Sequence, residues 1–263
     1  MPAKRILTAL IGIPLIIYIT YLGSLYFFSL VVLVSLAAQY EWSTITKNVT
    51  SNTYPFLSTC NILLILFAGY YGQAQDLFIM LIATLIVMLF MVVIKYPNLN
   101  LSALTLNYFG SLYIGLPLIT IIKIRENTQI GFWGIIFLFV VIWATDTGAY
   151  FTGKLWGTKK LAPHISPKKT WVGFWGGIIF GLVSGLILSN IIVFLKPNVM
   201  VITLFASLAG QLGDLAESVF KRIACIKDSG KVLPGHGGVL DRIDSLLLAA
   251  PVVYIFLYWF IID

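Results

Sequence analysis

The chain has 263 residues, of which 59% are hydrophobic and 10% charged, with a mean hydropathy of +0.97. That charge content is well under the roughly 25% of soluble domains, which excludes a soluble globular protein and a disordered chain alike. The formal charge of +7 suits a protein beside anionic lipid, although positive-inside bias alone makes such proteins basic, and no nucleic acid is expected as a partner. Cys60 lies in an apolar segment and Cys225 in a polar one, so the two form neither a disulfide framework nor a metal pattern.

A membrane span needs about 20 apolar residues at a rise of about 1.5 Å each. Hydropathy divides almost the whole sequence into nine such pieces: Ile6–Leu22, Leu25–Trp42, Pro55–Tyr71, Leu77–Ile94, Ala103–Ile122, Ile130–Tyr150, Trp171–Leu195, Val199–Phe220 and Ile243–Ile262. The charged start and apolar run of the first piece are followed by no small-residue cleavage site, so it reads as a retained helix. The breaks carry turn chemistry: Gly23-Ser24, the polar run Thr44–Thr53, Gly72–Asp76, Tyr96-Pro97-Asn98, Arg125–Gln129 and Lys196-Pro197-Asn198. The expected fold is all-α, a polytopic transmembrane helix bundle forming one integral membrane unit. Residues 1–130 supply N-terminal helices and residues 131–263 a C-terminal catalytic region.

Lysine and arginine set the orientation. With an inside start and alternation through nine spans, fourteen of the seventeen basic residues fall on the inner side. Only Lys123, Arg125 and Lys196 fall outside. Both long polar loops then face the cytoplasm.

The first half carries little chemistry. Glu41, beside Trp42 at the end of the second span, reads as an interfacial residue next to an aromatic anchor. Two glycines and a proline in Asn107–Pro117 read as helix packing or a kink.

Charge gathers in two later stretches. In Trp143–Trp171, Asp146 ends an apolar span, where a carboxylate is costly unless it pairs, binds an ion or faces water. It either joins a site or makes a salt bridge to Lys154 or Lys160. The loop after it holds Lys154, Lys159, Lys160, Lys168, Lys169 and His164 with Gly153 and Gly157, a basic and flexible set that suits phosphates or headgroups. The glycines Gly177, Gly181 and Gly185 of the seventh span form a flat packing face.

The second stretch, Gly213–Ser245, holds five acidic and five basic residues. In a helix, Asp214, Glu217, Ser218 and Lys221 share one face, which at the end of a span cannot look at lipid. A loop bounded by Pro234, Gly235, Gly237 and Gly238 leads to Asp241 and Asp244, which share a face at the start of the last span. Helix capping accounts for one or two such acids, but not for Asp214 and Asp146 as well. Convergent carboxylates with few histidines suit a hard cation such as Mg2+ held together with substrate phosphates. Metal clamps, lysines and a glycine-rich cradle are the parts of phosphoryl or nucleotidyl transfer, while neither soluble nucleotide-binding glycine fingerprint is present.

The run Ser218-x-x-Lys221-Arg222-x4-Lys227-Asp228-x-Gly230-x2-Leu233-Pro234-Gly235-His236-Gly237-Gly238-x2-Asp241-Arg242-x-Asp244 resembles the signature of phosphatidate cytidylyltransferases. A second stretch is similar too: Asp146-Thr147-Gly148-Ala149-Tyr150, Lys160-Leu161-Ala162-Pro163 and Ile165-Ser166-Pro167-Lys168-Lys169-Thr170-Trp171. The likeness is dense over about Trp143–Pro251, with hydropathy and weak matches before it. Many family members carry a polar residue after the Thr-Trp pair, where this chain has Val172.

The resemblance implies that CTP and phosphatidic acid give CDP-diacylglycerol and pyrophosphate with Mg2+, at the cytoplasmic face of a bacterial-type inner membrane. It implies Asp214 and Asp241 as ligands of the cation, with Asp244 a further ligand or support. Asp146 either ligates the metal or orients Lys160. Ser218, Lys221 and Arg222 would contact phosphates as catalytic residues together with Asp241 and Asp244. Lys168, Lys169, Lys227 and Arg242 would contact CTP or the lipid phosphate, and His236 with Gly237 and Gly238 would shape the loop over the nucleotide. The partners are CTP, phosphatidic acid and the bilayer; a homodimer is an expectation from the family alone. Two readings compete with it: transfer to another lipid phosphate, and transport of an anionic metabolite. Against transport, the charges lie at one membrane face.

Overall fold

Backbone amides have no water partners in hydrocarbon, so a chain this apolar satisfies them within helices. The computed structural model describes residues 2–50, 52–192, 198–230, 232 and 237–262, with side chains from Leu10 to Phe260 within those ranges. Among the described residues there are nine α-helices: α1 (Pro2–Leu22), α2 (Ser24–Val49), α3 (Pro55–Tyr71), α4 (Ala74–Lys95), α5 (Leu101–Glu126), α6 (Gly131–Trp156), α7 (Trp171–Ile191), α8 (Val199–Ile223) and α9 (Leu240–Leu257). The last runs on into a π-helical turn, Tyr258–Ile262. Seven of them are long and apolar enough to cross a bilayer; Leu10–Leu22 and Pro55–Tyr71 are shorter apolar pieces. The all-α membrane architecture is therefore present, with nine as an approximate count of spans.

Two local features differ from expectation. The polar run from Thr44 was to end the second span, yet α2 continues to Val49. Hydropathy marks where hydrocarbon stops, whereas a helix can run on into the interface. Here the Thr44 and Thr46 hydroxyls donate to the Tyr40 and Ser43 carbonyls at 3.2 and 3.0 Å, and the Thr50 amide closes the last turn on Thr46. The basic loop after α6 is partly a hairpin. Strand β1 (Lys160–Ala162) pairs antiparallel with β2 (Ser166–Thr170), Lys160 opposite Thr170 and Ala162 opposite Ser166. Of the expected breaks, Ser51 and Lys196-Pro197 lie outside the described residues.

The helices form two compact units, the first made of the chain up to Lys123 with Ile223–Asp241, the second of Ile124–Arg222 with Arg242 onward. In the first, Ile62, Ile65 and Leu66 of α3 and Leu104, Ile114 and Ile122 of α5 are fully buried. A polar seam runs beside them. Gln39 donates to Ser43 and Ser58, Ser58 contacts Asn107, and Asn61 donates to Ser111. Trp42 is buried and donates its indole N–H to the Leu106 carbonyl at 3.0 Å, in space left by Gly110, where a Cβ would overlap the ring. The glycines of the fifth span thus serve packing, as expected.

In the second unit, α7 lies flat against α6 and α8. A Cβ on Gly177 would meet the Thr145 carbonyl, while one on Gly181 or Gly185 would overlap Ser207 or Thr203. The gap between α6 and α8 is bridged by the Thr145–Ser207 hydroxyl pair at 2.9 Å. Small residues let helix backbones approach closely where lipid offers no hydrophobic drive for association.

Candidate active site

Where α6 and α7 end in polar sequence, the hairpin folds beside them. Thr170 closes β2 and caps α7, its hydroxyl accepting from the Gly173 amide at 3.1 Å, while the Trp171 amide bonds the Lys159 carbonyl. Gly153 and Gly157, expected to give a flexible phosphate loop, instead form the end of α6 and its cap, and a Cβ on either would crowd the Thr170 hydroxyl. The hairpin is thereby seated on the helices. Together with α8 these elements enclose a cavity of about 550 Å³, into which Asp146, Lys160, Lys168, Lys169, Gln211 and Asp214 project among apolar residues.

The acid at the centre is Asp214, about two turns before the cationic end of α8. Lys169 Nζ lies 2.8 Å from its Oδ2, and the Ser218 hydroxyl donates to its Oδ1 at 3.4 Å. Asp244 of α9 lies within electrostatic reach of Asp214, Glu217 and Asp146. The close approach of the two helices explains this, since a Cβ on Gly213 would stand 2.5 Å from the Asp244 carbonyl. Glu217 is fully buried and forms an i,i+4 ion pair with Lys221. Arg222 donates its Nε–H to the Ile165 carbonyl at 3.0 Å, fastening the end of α8 to the hairpin turn. Among the described residues, no ion pair joins Asp146 to Lys154 or Lys160; its charged neighbours are Asp214 and Lys169. Of the four acids here (Asp146, Asp214, Glu217 and Asp244), Asp214 pairs with Lys169 and Glu217 with Lys221 among the described residues.

The other expected residues belong to the first unit and the last helix. Lys227 and Asp228 are exposed on the segment after α8. Asp241, in the first turn of α9, accepts from the Ser229 and Gly238 amides at 3.1 and 3.0 Å. Gly237 has φ +83°, a left-handed conformation that glycine adopts freely. Arg242 is exposed at the start of α9. His236, with Lys231 and Leu233–Gly235, lies outside the described residues.

One residue of this second set was misread from sequence. Glu41 was expected at the interface but is fully buried. Its Oε1 accepts from the Val239 amide at 2.9 Å, and its Oε2 accepts from the Leu240 amide at 2.8 Å and the Ser229 hydroxyl at 3.0 Å. The signal was available: a carboxylate within an apolar helix is costly and calls for a partner. What sequence could not supply was a partner 188 to 199 positions away.

Comparison with known proteins places this geometry. The model of the cytidylyltransferase family matches residues 3–260. The phosphatidate cytidylyltransferase of Bacillus subtilis is 36% identical over 266 residues, covering 98% of both chains. That of Brucella suis is 36% identical over 262 residues, covering 96% of this chain and 92% of the relative. That of Staphylococcus saprophyticus reaches 45% over 150 residues, 55% of each chain. With its sequence matched over nearly its whole length, the chain belongs to the cytidylyltransferase family.

Proposed function

We propose that the protein transfers the cytidylyl group of CTP to phosphatidic acid within the membrane, forming CDP-diacylglycerol and pyrophosphate. The observation that carries this is the cavity of lysines and carboxylates at the ends of apolar helices, in a chain aligned over 98% of its length with a named phosphatidate cytidylyltransferase. A lipid phosphate held by its acyl chains meets a soluble nucleotide where hydrocarbon helices open into a polar recess. The excess of basic residues on one side of the alternating spans supports a cytoplasmic face for that recess.

In this reaction a phosphate oxygen of the lipid attacks the α-phosphorus of CTP. The new P–O bond forms as the bond to the β-phosphate oxygen breaks, and pyrophosphate leaves with that electron pair. The phosphate monoester is already a nucleophile near neutral pH, so no protein base is required. The obstacle is the approach of two polyanions, which calls for positioning and fixed positive charge. Lys168 and Lys169 on β2 supply charge at the cavity. Lys221, held by Glu217, and Arg222, held by Ile165, carry it along the end of α8. Ser218 orients Asp214. Lys227, Arg242 and the backbone of Gly237 and Gly238, with His236, are assigned to the CTP phosphates.

The donor set fits a hard divalent cation. Asp146 and Asp244 offer oxygens near Asp214, and among the described residues neither makes an ion pair. Among the described residues no three acids gather closely enough to hold an ion by themselves, so a bound Mg2+ would take one or two carboxylates and complete its shell with water and substrate phosphates. Asp214, with Asp244 or Asp146 beside it, would hold it, while Asp241, which the resemblance also implies as a ligand, accepts from the Ser229 and Gly238 amides. When bound, Mg2+ would neutralise the nucleotide phosphates and the departing pyrophosphate. Purified protein in detergent, given labelled CTP, phosphatidic acid and Mg2+, should release pyrophosphate and form a CDP-lipid. Absence of that product with phosphatidic acid would sink the assignment.

A further inference from the structure

We infer that Thr170 is a positioning residue for Lys169: its hydroxyl seats the hairpin so that this lysine reaches Asp214 in the cavity. The inference rests on the proposed cytidylyl transfer, in which Lys169 supplies positive charge to the reacting phosphates. Two short strands alone make a marginal structure, and these are three and five residues long. The ion pair between Lys169 Nζ and Asp214 Oδ2, at 2.8 Å, is too weak to hold them, because its side chains are 25% and 35% exposed and such pairs contribute little. Another contact must fix the point from which the lysine reaches out.

Thr170 makes that contact. It is buried at the end of β2, and its hydroxyl accepts from the Gly173 amide at 3.1 Å, so one atom both ends the strand and caps α7. The surroundings fit it closely. A Cβ on Gly153 would stand 3.0 Å from the Thr170 hydroxyl oxygen and one on Gly173 3.1 Å from it, while one on Gly157 would overlap it. Glycines at the end of α6 and the start of α7 thus leave a niche the size of this side chain. Beside it the Trp171 amide donates to the Lys159 carbonyl at 3.1 Å, and Lys160 lies opposite Thr170 in the strand pairing. Arg222 holds the turn of the hairpin at the Ile165 carbonyl.

Lys169 is the preceding residue of the strand, its Cα about 3.8 Å from that of Thr170. A lysine is a flexible stem ending in a point charge, so what it can reach depends on where its Cα is held. Lys168, one position further back, is exposed and makes no ion pair among the described residues. Fixed charge assists a reacting phosphate when its geometry is set in advance. Thr170 sets it for Lys169 without touching substrate itself.

The test is Thr170→Val, which keeps the branched shape but removes the acceptor, beside Thr170→Ser, which keeps the hydroxyl. For each, kcat and KM for CTP are measured, with thermal unfolding and the rate at which an amine-acylating reagent modifies Lys169 and Lys168, read by peptide mass spectrometry. Loss of a helix cap lowers Tm whatever else Thr170 does, so Tm serves only to show that the protein is folded. We expect folded Thr170→Val to lose tenfold or more in kcat/KM and to acylate severalfold faster at Lys169, with Lys168 within twofold. Thr170→Ser should stay within twofold of wild type in each readout. In a Lys169→Ala background, Thr170→Val should change kcat/KM by less than twofold, because residues that act through one contact are not additive. Unchanged Lys169 acylation in folded Thr170→Val, or the same tenfold loss in the Lys169→Ala background, overturns the inference. If Thr170→Val does not fold, Gly153→Ala crowds the hydroxyl from within α6, and unchanged Lys169 acylation there overturns it instead. A wild-type protein that forms no CDP-lipid defeats the proposed reaction and leaves the acylation rates to judge Thr170.

Discussion

Replacing Asp214 with asparagine separates catalysis from stability. Asparagine keeps the size and one oxygen but loses the charge that faces Lys169 Nζ at 2.8 Å. The paired side chains are 25% and 35% exposed, so water screens them. Losing such a pair costs about 0–1 kcal/mol of stability, which for a chain of this size moves Tm by roughly 2–4 °C at most. The expected effect on turnover is far larger. Removing one preorganised electrostatic contact from a reacting centre typically costs about 10²–10³ in rate, or about 3–4 kcal/mol. Lys169, left without its acid, would also hold a net positive charge where Asp214 and Mg2+ are proposed to meet. Initial rates with labelled CTP and phosphatidic acid over a Mg2+ series, beside a thermal unfolding curve in the same detergent, measure both quantities. If Asp214→Asn keeps more than about a tenth of wild-type kcat/KM, the loss is under about 1.4 kcal/mol and the metal assignment is wrong. A rate loss that merely tracks the loss of folded protein refutes it equally.

Other predictions follow from separate parts of the structure. Chelation of divalent cations should abolish CDP-lipid formation, and added Mg2+ should restore it; activity that survives the chelator would remove the metal from the mechanism. Glu217→Gln leaves Lys221 charged beside a fully buried neutral group, and breaking such a buried pair by removing one partner costs about 3–5 kcal/mol. Thermal unfolding and size-exclusion monodispersity should both worsen, and Glu217→Leu with Lys221→Met should recover much of the loss. A Glu217→Gln protein as stable as wild type would show that the pair carries little. Cys225 is exposed on the segment after α8. In a Cys60→Ala background, a membrane-impermeant maleimide should label it only once the cytoplasmic side is opened. Labelling of intact cells would invert the proposed orientation.

Much of this architecture is legible in the order of the residues. The transfer energy of apolar side chains adds locally along the chain, so hydropathy locates every helix, and the third span coincides with α3 at both ends, Pro55 and Tyr71. The acid-and-base face of α8 follows from helical periodicity, and the Glu217–Lys221 and Ser218–Asp214 contacts are its i,i+4 consequences. Gly177, Gly181 and Gly185 are legible as a packing face for the same reason. The hairpin is not. Its strands are three and five residues long, β2 reads Ser-Pro-Lys-Lys-Thr, and no alternation of apolar side chains marks it. Gly153 and Gly157 look like loop residues because glycine signals flexibility and close packing with the same letter; only the Thr170 hydroxyl against them decides which applies.

The sequence by itself therefore determined the class of protein, its helices, its family likeness and the identity of its charged residues, because each depends on neighbours a few positions away. The tertiary structure alone decided which charges distant in the chain meet. Lys169 pairs with Asp214 rather than with Asp146, which is nearer in the chain, and Ile223–Asp241 packs with the first unit although it follows α8. Glu41 passed from an apparent membrane-interface residue to the buried acceptor at the start of α9. Such choices depend on which buried donors lack an acceptor once the helices have packed, a shortage that no local stretch of sequence records.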